Sequence, residues 1–177
     1  MKIRLLALLT IAAIPLMGFD CIVDQFTIAL NLRPFNGTYT LNTGSSTNYA
    51  GSFAISPGTL YDNSYELTGA SLYDIRVSTQ GASLGTVTGS VSVNGVLLFT
   101  YGVARSATWN DFLTPQSLLS SPFIARNSAG VTTLVNAIVN NQQVTFAVAG
   151  TVGTPPATST SNSITIFAYV RAYGHLK

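Results

Sequence analysis

Between Thr86 and Val103 the chain alternates polar and apolar residues so regularly that a β-hairpin is the only local structure it suits. Val87, Val91 and Val93 alternate with Thr86, Thr88, Ser90 and Ser92; Asn94-Gly95 follows; then Leu97, Phe99, Tyr101 and Val103 return. Successive residues of a strand face opposite sides, so a period of two marks a strand with one buried face. Asn-Gly supplies the two positive-φ residues that a tight two-residue turn requires. This pair fixes two strands and their register.

The same period recurs elsewhere. Phe26, Ile28, Leu30 and Leu32 share one face of an early strand, and Tyr39 and Leu41 follow the Asn36-Gly37 pair. Tyr49, Phe53 and Ile55 form a third run, ended by Pro57-Gly58. In a longer stretch Tyr65, Leu67, Tyr73, Ile75 and Val77 occupy odd positions, with Glu66, Thr68, Asp74, Arg76 and Ser78 opposite. Gly69 in its middle predicts a bulge or bend. Two late strands contain Val144, Phe146, Val148 and Val152, then Ile164, Ile166, Ala168 and Val170. The last also carries Phe167, Tyr169 and Tyr173 on its reverse face, which predicts a central or covered position.

Two segments break the pattern. Val131, Leu134, Val135, Ile138 and Val139 form one stripe of an amphipathic helix that stops near Asn140-Asn141. Thr114-Pro115 predicts a capped helical turn through Leu118 and Leu119. The expected fold class is all-β: an antiparallel β-sandwich, jelly-roll-like, of about eight strands with one short covering α-helix. Residues 19–177 are read as one domain, long enough for a core of its own.

The first eighteen residues follow different rules. Lys2 and Arg4 precede an apolar run from Leu5 to Met17, and Gly18 closes it. These are the parts of a secretory signal, and the run is shorter than the ~20 residues a membrane-spanning helix needs. Residues 1–18 are therefore read as a signal peptide, extending to residue 20 if the chain is a lipoprotein acylated on Cys21. Against acylation, Asp20 stands where a small residue is expected. Cys21 is the only cysteine, so no intrachain disulfide supports the fold.

With Lys2 and Arg4 removed, the basic residues equal the six acidic ones. A chain near zero net charge exerts no pull on nucleic acid, and on a membrane it would be held only through a lipid anchor. Charged residues form 8% of the chain, against about 25% in an ordinary domain. The polar surface is instead Ser, Thr, Asn and Gly, which are easily desolvated on contact with protein or sugar.

No catalytic, cofactor or metal motif emerges, and the expectation is a non-enzyme. Gly81-Ala82-Ser83-Leu84-Gly85 has the spacing of a nucleophile elbow, with Asp111 and His175 following in hydrolase order. The elbow, however, needs a helix after the serine, and here a strand follows. Asp62 and Asn63 fit an Asx turn better than a calcium site. Asp74 and Arg76 share a strand face and are expected to pair with each other or across strands. Trp109, Asn110 and Asp111 are the candidate glycan contact, weighed against Trp109 and Phe112 plugging one end of the sandwich.

The leading functional expectation is an exported, bacterial cell-surface or extracellular structural protein that self-associates, as the subunit of an extracellular fibre would. Its partners would be copies of itself or another surface protein, and Phe26, Ile28, Leu30 and Leu32 are the candidates for strand donation. The alternatives are a carbohydrate-binding or adhesive module, using Trp109 and tyrosines such as Tyr169 and Tyr173, and, third, a small outer-membrane β-barrel.

Overall fold

The computed structural model describes residues 28–31, 35–41, 46–57, 65–157 and 161–176. The signal segment, Cys21, Phe26, Leu32, Asp62 and Asn63 lie outside them. Among the described residues eleven strands form: β1 (Ile28–Asn31), β2 (Phe35–Thr40), β3 (Asn48–Ile55), β4 (Tyr65–Gln80), β5 (Thr86–Val93), β6 (Val96–Tyr101), β7 (Ala107–Thr108), β8 (Gln116–Ser117), β9 (Ile124–Arg126), β10 (Val144–Val152) and β11 (Ser163–Leu176). A 3-10 turn spans Trp109–Phe112, and helix α1 spans Ser128–Val139.

The strands make two antiparallel sheets. Sheet A runs β1-β11-β4-β8, with β2 following β1 along the same side of β11; sheet B runs β3-β10-β5-β6-β9, with β7 also on β5. The pairs β5–β6, β4–β8, β3–β10 and β2–β11 nest one inside the next. Each step outward crosses from one sheet to the other. This is one long hairpin rolled up, the jelly-roll order, and its innermost turn is Asn94-Gly95, both with positive φ.

Between the sheets lies an apolar core. Ile75, Val77, Ile164 and Ile166 of sheet A meet Val87, Val91, Phe99 and Phe146 of sheet B, all at 2% exposure or less. Burying a side chain of this size contributes about 1.5–3 kcal/mol. The filled interior and the two separate sheets exclude a single closed barrel with a polar lumen. The double-sided apolar pattern of β11 has its predicted cause: this strand is paired along both edges.

β4 departs from simple alternation. Its pairing with β11 slips twice, between Tyr169 and Val170 and again between Tyr173 and Gly174. The slips leave Tyr73 and Thr68 as extra residues, so each is a one-residue bulge. The predicted irregularity at Gly69 is the second of these, next to Thr68. Ile75 and Val77 point inward on odd positions, Ala70 and Leu72 pack against the core on even positions, and Leu67 returns to odd. Tyr73, expected on the buried face, is 60% exposed.

Two further expectations are corrected. A slip in the β5–β6 register leaves Leu98 unpaired and fully buried, while Leu97 and Val103 are exposed. The turn does not start at Pro115: Gln116 and Ser117 first pair with Val77 and Arg76 at the edge of sheet A, and the turn follows through Leu118 and Leu119, closed by the Ser121 N–H donating to the Ser117 carbonyl at 2.9 Å. The Ser117 hydroxyl joins the two, donating to Asp74 at 2.7 Å and accepting from the Leu119 N–H at 3.1 Å. Helix α1 begins three residues before the predicted stripe, because Asn127 caps it by accepting from Ala129 N–H at 2.9 Å.

Candidate functional site

The tempting motifs do not converge. Ser83 lies exposed in the connection from β4 to β5, and a strand, not a helix, follows it. Gln80 pairs with Ser163 while Glu66 pairs with His175. The Ser83 loop and His175 thus adjoin opposite ends of β11, separated by about 40 Å of strand. Asp111 serves the backbone instead, since its carboxylate accepts from the Thr108 N–H at 2.7 Å and the Thr108 hydroxyl at 2.8 Å. These bonds hold its pKa below the ordinary carboxylate value, the backbone bond being the larger cause. Among the described residues no three His, Cys, Asp or Glu side chains come together as a metal site would need.

The Trp109 expectation fails on burial. Trp109 and Phe112 are both fully enclosed in the core. The Trp109 carbonyl accepts from the Thr79 hydroxyl at 2.7 Å, and its N–H donates to the Gly85 carbonyl at 2.7 Å. Its indole Nε1 has no hydrogen-bond partner. No face of this ring is open for a sugar to stack on. Asn110 is exposed and Asp111 half-buried, but without Trp109 they form no aromatic platform.

Of the strand-donation candidates, Ile28 and Leu30 fall within β1. That strand pairs with β11 of its own chain, Ile28 opposite Gly174 and Leu30 opposite Ala172. Within one molecule, β1 closes its own sheet and is not free to complete another.

Two surfaces stand out instead. The first is the free edge of β3 together with the outer face of sheet B. β3 is eight residues long, carries no charge and no proline, and among the described residues pairs only along its β10 side. Beside it the outer face presents Ala50, Ser52 and Ala54, then Ala147 and Ala149, then Ser90 and Ser92. Native edges are ordinarily guarded by charge, proline, bulges or brevity. β7, β8 and β9 are guarded by brevity, at two, two and three residues. β3 has none of these devices.

The second is the outer face of sheet A, which no single run of the sequence marks as a unit. Phe167, Tyr169, Arg171 and Tyr173 follow at every second position of β11, joined by Tyr73 and Arg76 from β4. Arg76 lies over the Tyr169 ring at 5.1 Å, and Arg171 over the Tyr73 ring at 5.5 Å. Arg76 Nε also donates to Asp74 at 2.8 Å, the expected pair, and Asp74 is buried by this contact and by Ser117. At the far end His175 faces Glu66 at 3.4 Å. The recurring aromatic–arginine alternation in residues 167–173 was the available signal; Tyr73 had none, because the bulge that exposes it is set by its partner strand.

Comparisons with known proteins give little beyond this geometry. No family model matches the sequence, and no curated protein matches it significantly. Among solved structures the chain is similar to one titled for Desmodium yellow mottle tymovirus, at 14% identity over 86% of this chain and 91% of that one, with a TM-score of 0.32.

Proposed function

We propose that this chain is a non-enzymatic structural subunit, exported to the cell surface or beyond, that self-associates through strand edges and uncharged polar surface. The fold alone does not select this, since jelly rolls serve in shells, lectins and cupins alike. The observation that carries it is β3: eight uncharged residues with an edge that no described residue pairs, beside an outer face of Ala, Ser and Thr. An edge of this kind is a template for another strand. A neighbouring copy presenting its own β3 antiparallel would satisfy both edges. Export rests on the pattern of residues 1–18, and a lipid on Cys21 is a separate matter that N-terminal mass spectrometry of native material decides.

The test is the assembly state of the mature protein, followed by sedimentation and negative-stain microscopy over a wide concentration range. Ser52→Lys and Ala50→Lys place charges on exposed positions of the edge strand and are expected to shift assemblies towards smaller species. A wild-type protein that stays monomeric throughout removes the proposal.

A further inference from the structure

We infer that the outer face of sheet A is a two-fold, face-to-face contact with a second copy of this chain. The inference rests on the self-association reading and adds a contact distinct from the β3 edge.

Three observations favour a protein surface over a sugar or a nucleic acid. The rings are not open platforms: guanidinium groups already lie over Tyr169 and Tyr73, so the outward-facing parts are ring edges and hydroxyls. The charges cancel, with Arg76 and Arg171 against Asp74 and Glu66, which gives nothing for a polyanion to follow. Tyrosine and arginine in a setting poor in Lys and Glu are also the composition of interface centres. The bulge at Tyr73 adds to this, because bulges re-aim side chains and this one turns a ring from the core into solvent.

The second copy is favoured by the order of charge along the face. In the β4–β11 pairing Arg76 lies opposite Phe167, and Glu66 lies opposite His175. The midpoint of that span on β11 is Arg171, the residue stacked on Tyr73. The side chains of Arg76 and Glu66 are 45% and 65% exposed. A two-fold axis lying in the interface plane, perpendicular to the strands and passing Arg171, puts Arg76 of each molecule over Glu66 of the other. The face is therefore self-complementary, as an isologous contact must be. It measures about 27 Å along the strands and about 14 Å across the three that run its length, β1 or β2, β11 and β4. That is the small end of specific interfaces, so the dimer is concentration-dependent and not permanent.

Sedimentation equilibrium of the Ser52→Lys protein, with the β3 edge blocked, isolates this contact. Tyr73→Ser changes a ring already in solvent and is expected to weaken dimerisation about tenfold or more. Glu66→Lys and Arg76→Glu, each made separately, are expected to weaken self-association likewise. Mixing the two restores it, since the exchanged charges then meet across the axis. Melting curves establish that each variant is folded, and Tyr73→Ser stands as the readout if Arg76→Glu is not. Dimerisation that survives Tyr73→Ser overturns the inference while leaving self-association through β3 intact; so does a folded variant pair without rescue on mixing. Retention of the monomer on cellulose or chitin, lost with Tyr73→Ser, overturns it in favour of a glycan. A wild-type protein that never associates sinks the underlying reading itself.

Discussion

The hydroxyls of Tyr49 and Tyr101 hydrogen-bond to each other inside the sandwich, meeting above two glycines. Tyr49, Gly150, Gly89 and Tyr101 are register partners in sequence across β3, β10, β5 and β6. The glycines open a trough along which the two rings lie towards one another. Tyr49 also donates to the Thr88 carbonyl at 2.9 Å. Its single proton is spent there, so the proton between the two phenols belongs to Tyr101.

This assignment predicts an asymmetry. Tyr49→Phe leaves the Tyr101 O–H buried without an acceptor and is expected to cost about 1–3 kcal/mol. Tyr101→Phe removes a donor but leaves Tyr49 bonded to Thr88, and is expected to cost less. Urea denaturation of the two variants, compared at equal slope, checks the order. Equal losses would refute the proton assignment.

Alkaline pH acts on the same pair. Burial is the main cause that raises both phenols above their ordinary value near 10. The unfolded chain thus releases these protons at lower pH than the folded one. Their contribution is fully present below about pH 10 and is lost as pH rises further, at up to about 1.4 kcal/mol per unit for each phenol. Stability measured from pH 8 to 11.5 should be level and then fall, and the fall should shrink in the Tyr49→Phe/Tyr101→Phe double variant.

The trough itself can be filled. A Cβ on Gly89 would overlap the Tyr101 and Tyr49 hydroxyls, and one on Gly150 the Tyr49 ring and the Thr88 carbonyl. Gly89→Ala and Gly150→Ala are each expected to cost about 1–3 kcal/mol through overpacking. Because the positions are direct partners, the double variant should depart from additivity. Thermal melts of the three proteins test both points.

Trp109 should behave as a core residue. Trp109→Ala is expected to cost about 3–5 kcal/mol, measured by denaturant titration. Trp109→Phe should cost much less, partly because it removes an indole N–H that has no partner.

At the centre of the roll, Gly95 has φ of 81° and open space where a Cβ would stand. Gly95→Ala therefore incurs backbone strain alone, about 1–2 kcal/mol, and should lower the melting temperature without altering the assembly state.

Much of this architecture was legible in the alternation. The Asn94-Gly95 hairpin, the double-sided β11 and the helix stripe follow from local pattern, because each buries a face that its own residues define. The phase of β4 was not, since a bulge is decided by which register gives the partner strand its best contacts. Tyr73 and Leu72 exchange roles for that reason. Trp109 was ambiguous in isolation: a tryptophan beside Asn and Asp fits a surface or a plug, and only the tertiary packing that encloses its ring completely decides for the interior. The face built from Tyr73, Arg76 and Arg171 was hidden because its members come from strands whose pairing no local signal records.

Each displaced residue of β4 is surplus to a β11 strand that runs on without interruption. Deleting Tyr73 alone would make Leu72 and Asp74 consecutive opposite Val170 and Tyr169, leaving every other side chain on its present face while erasing the outward tyrosine. Deleting Thr68 alone would do the same for Leu67 and Gly69 opposite Gly174 and Tyr173. These are consequently the two points at which the strand can shorten by one residue without exchanging core for surface, and either can be lost without the other.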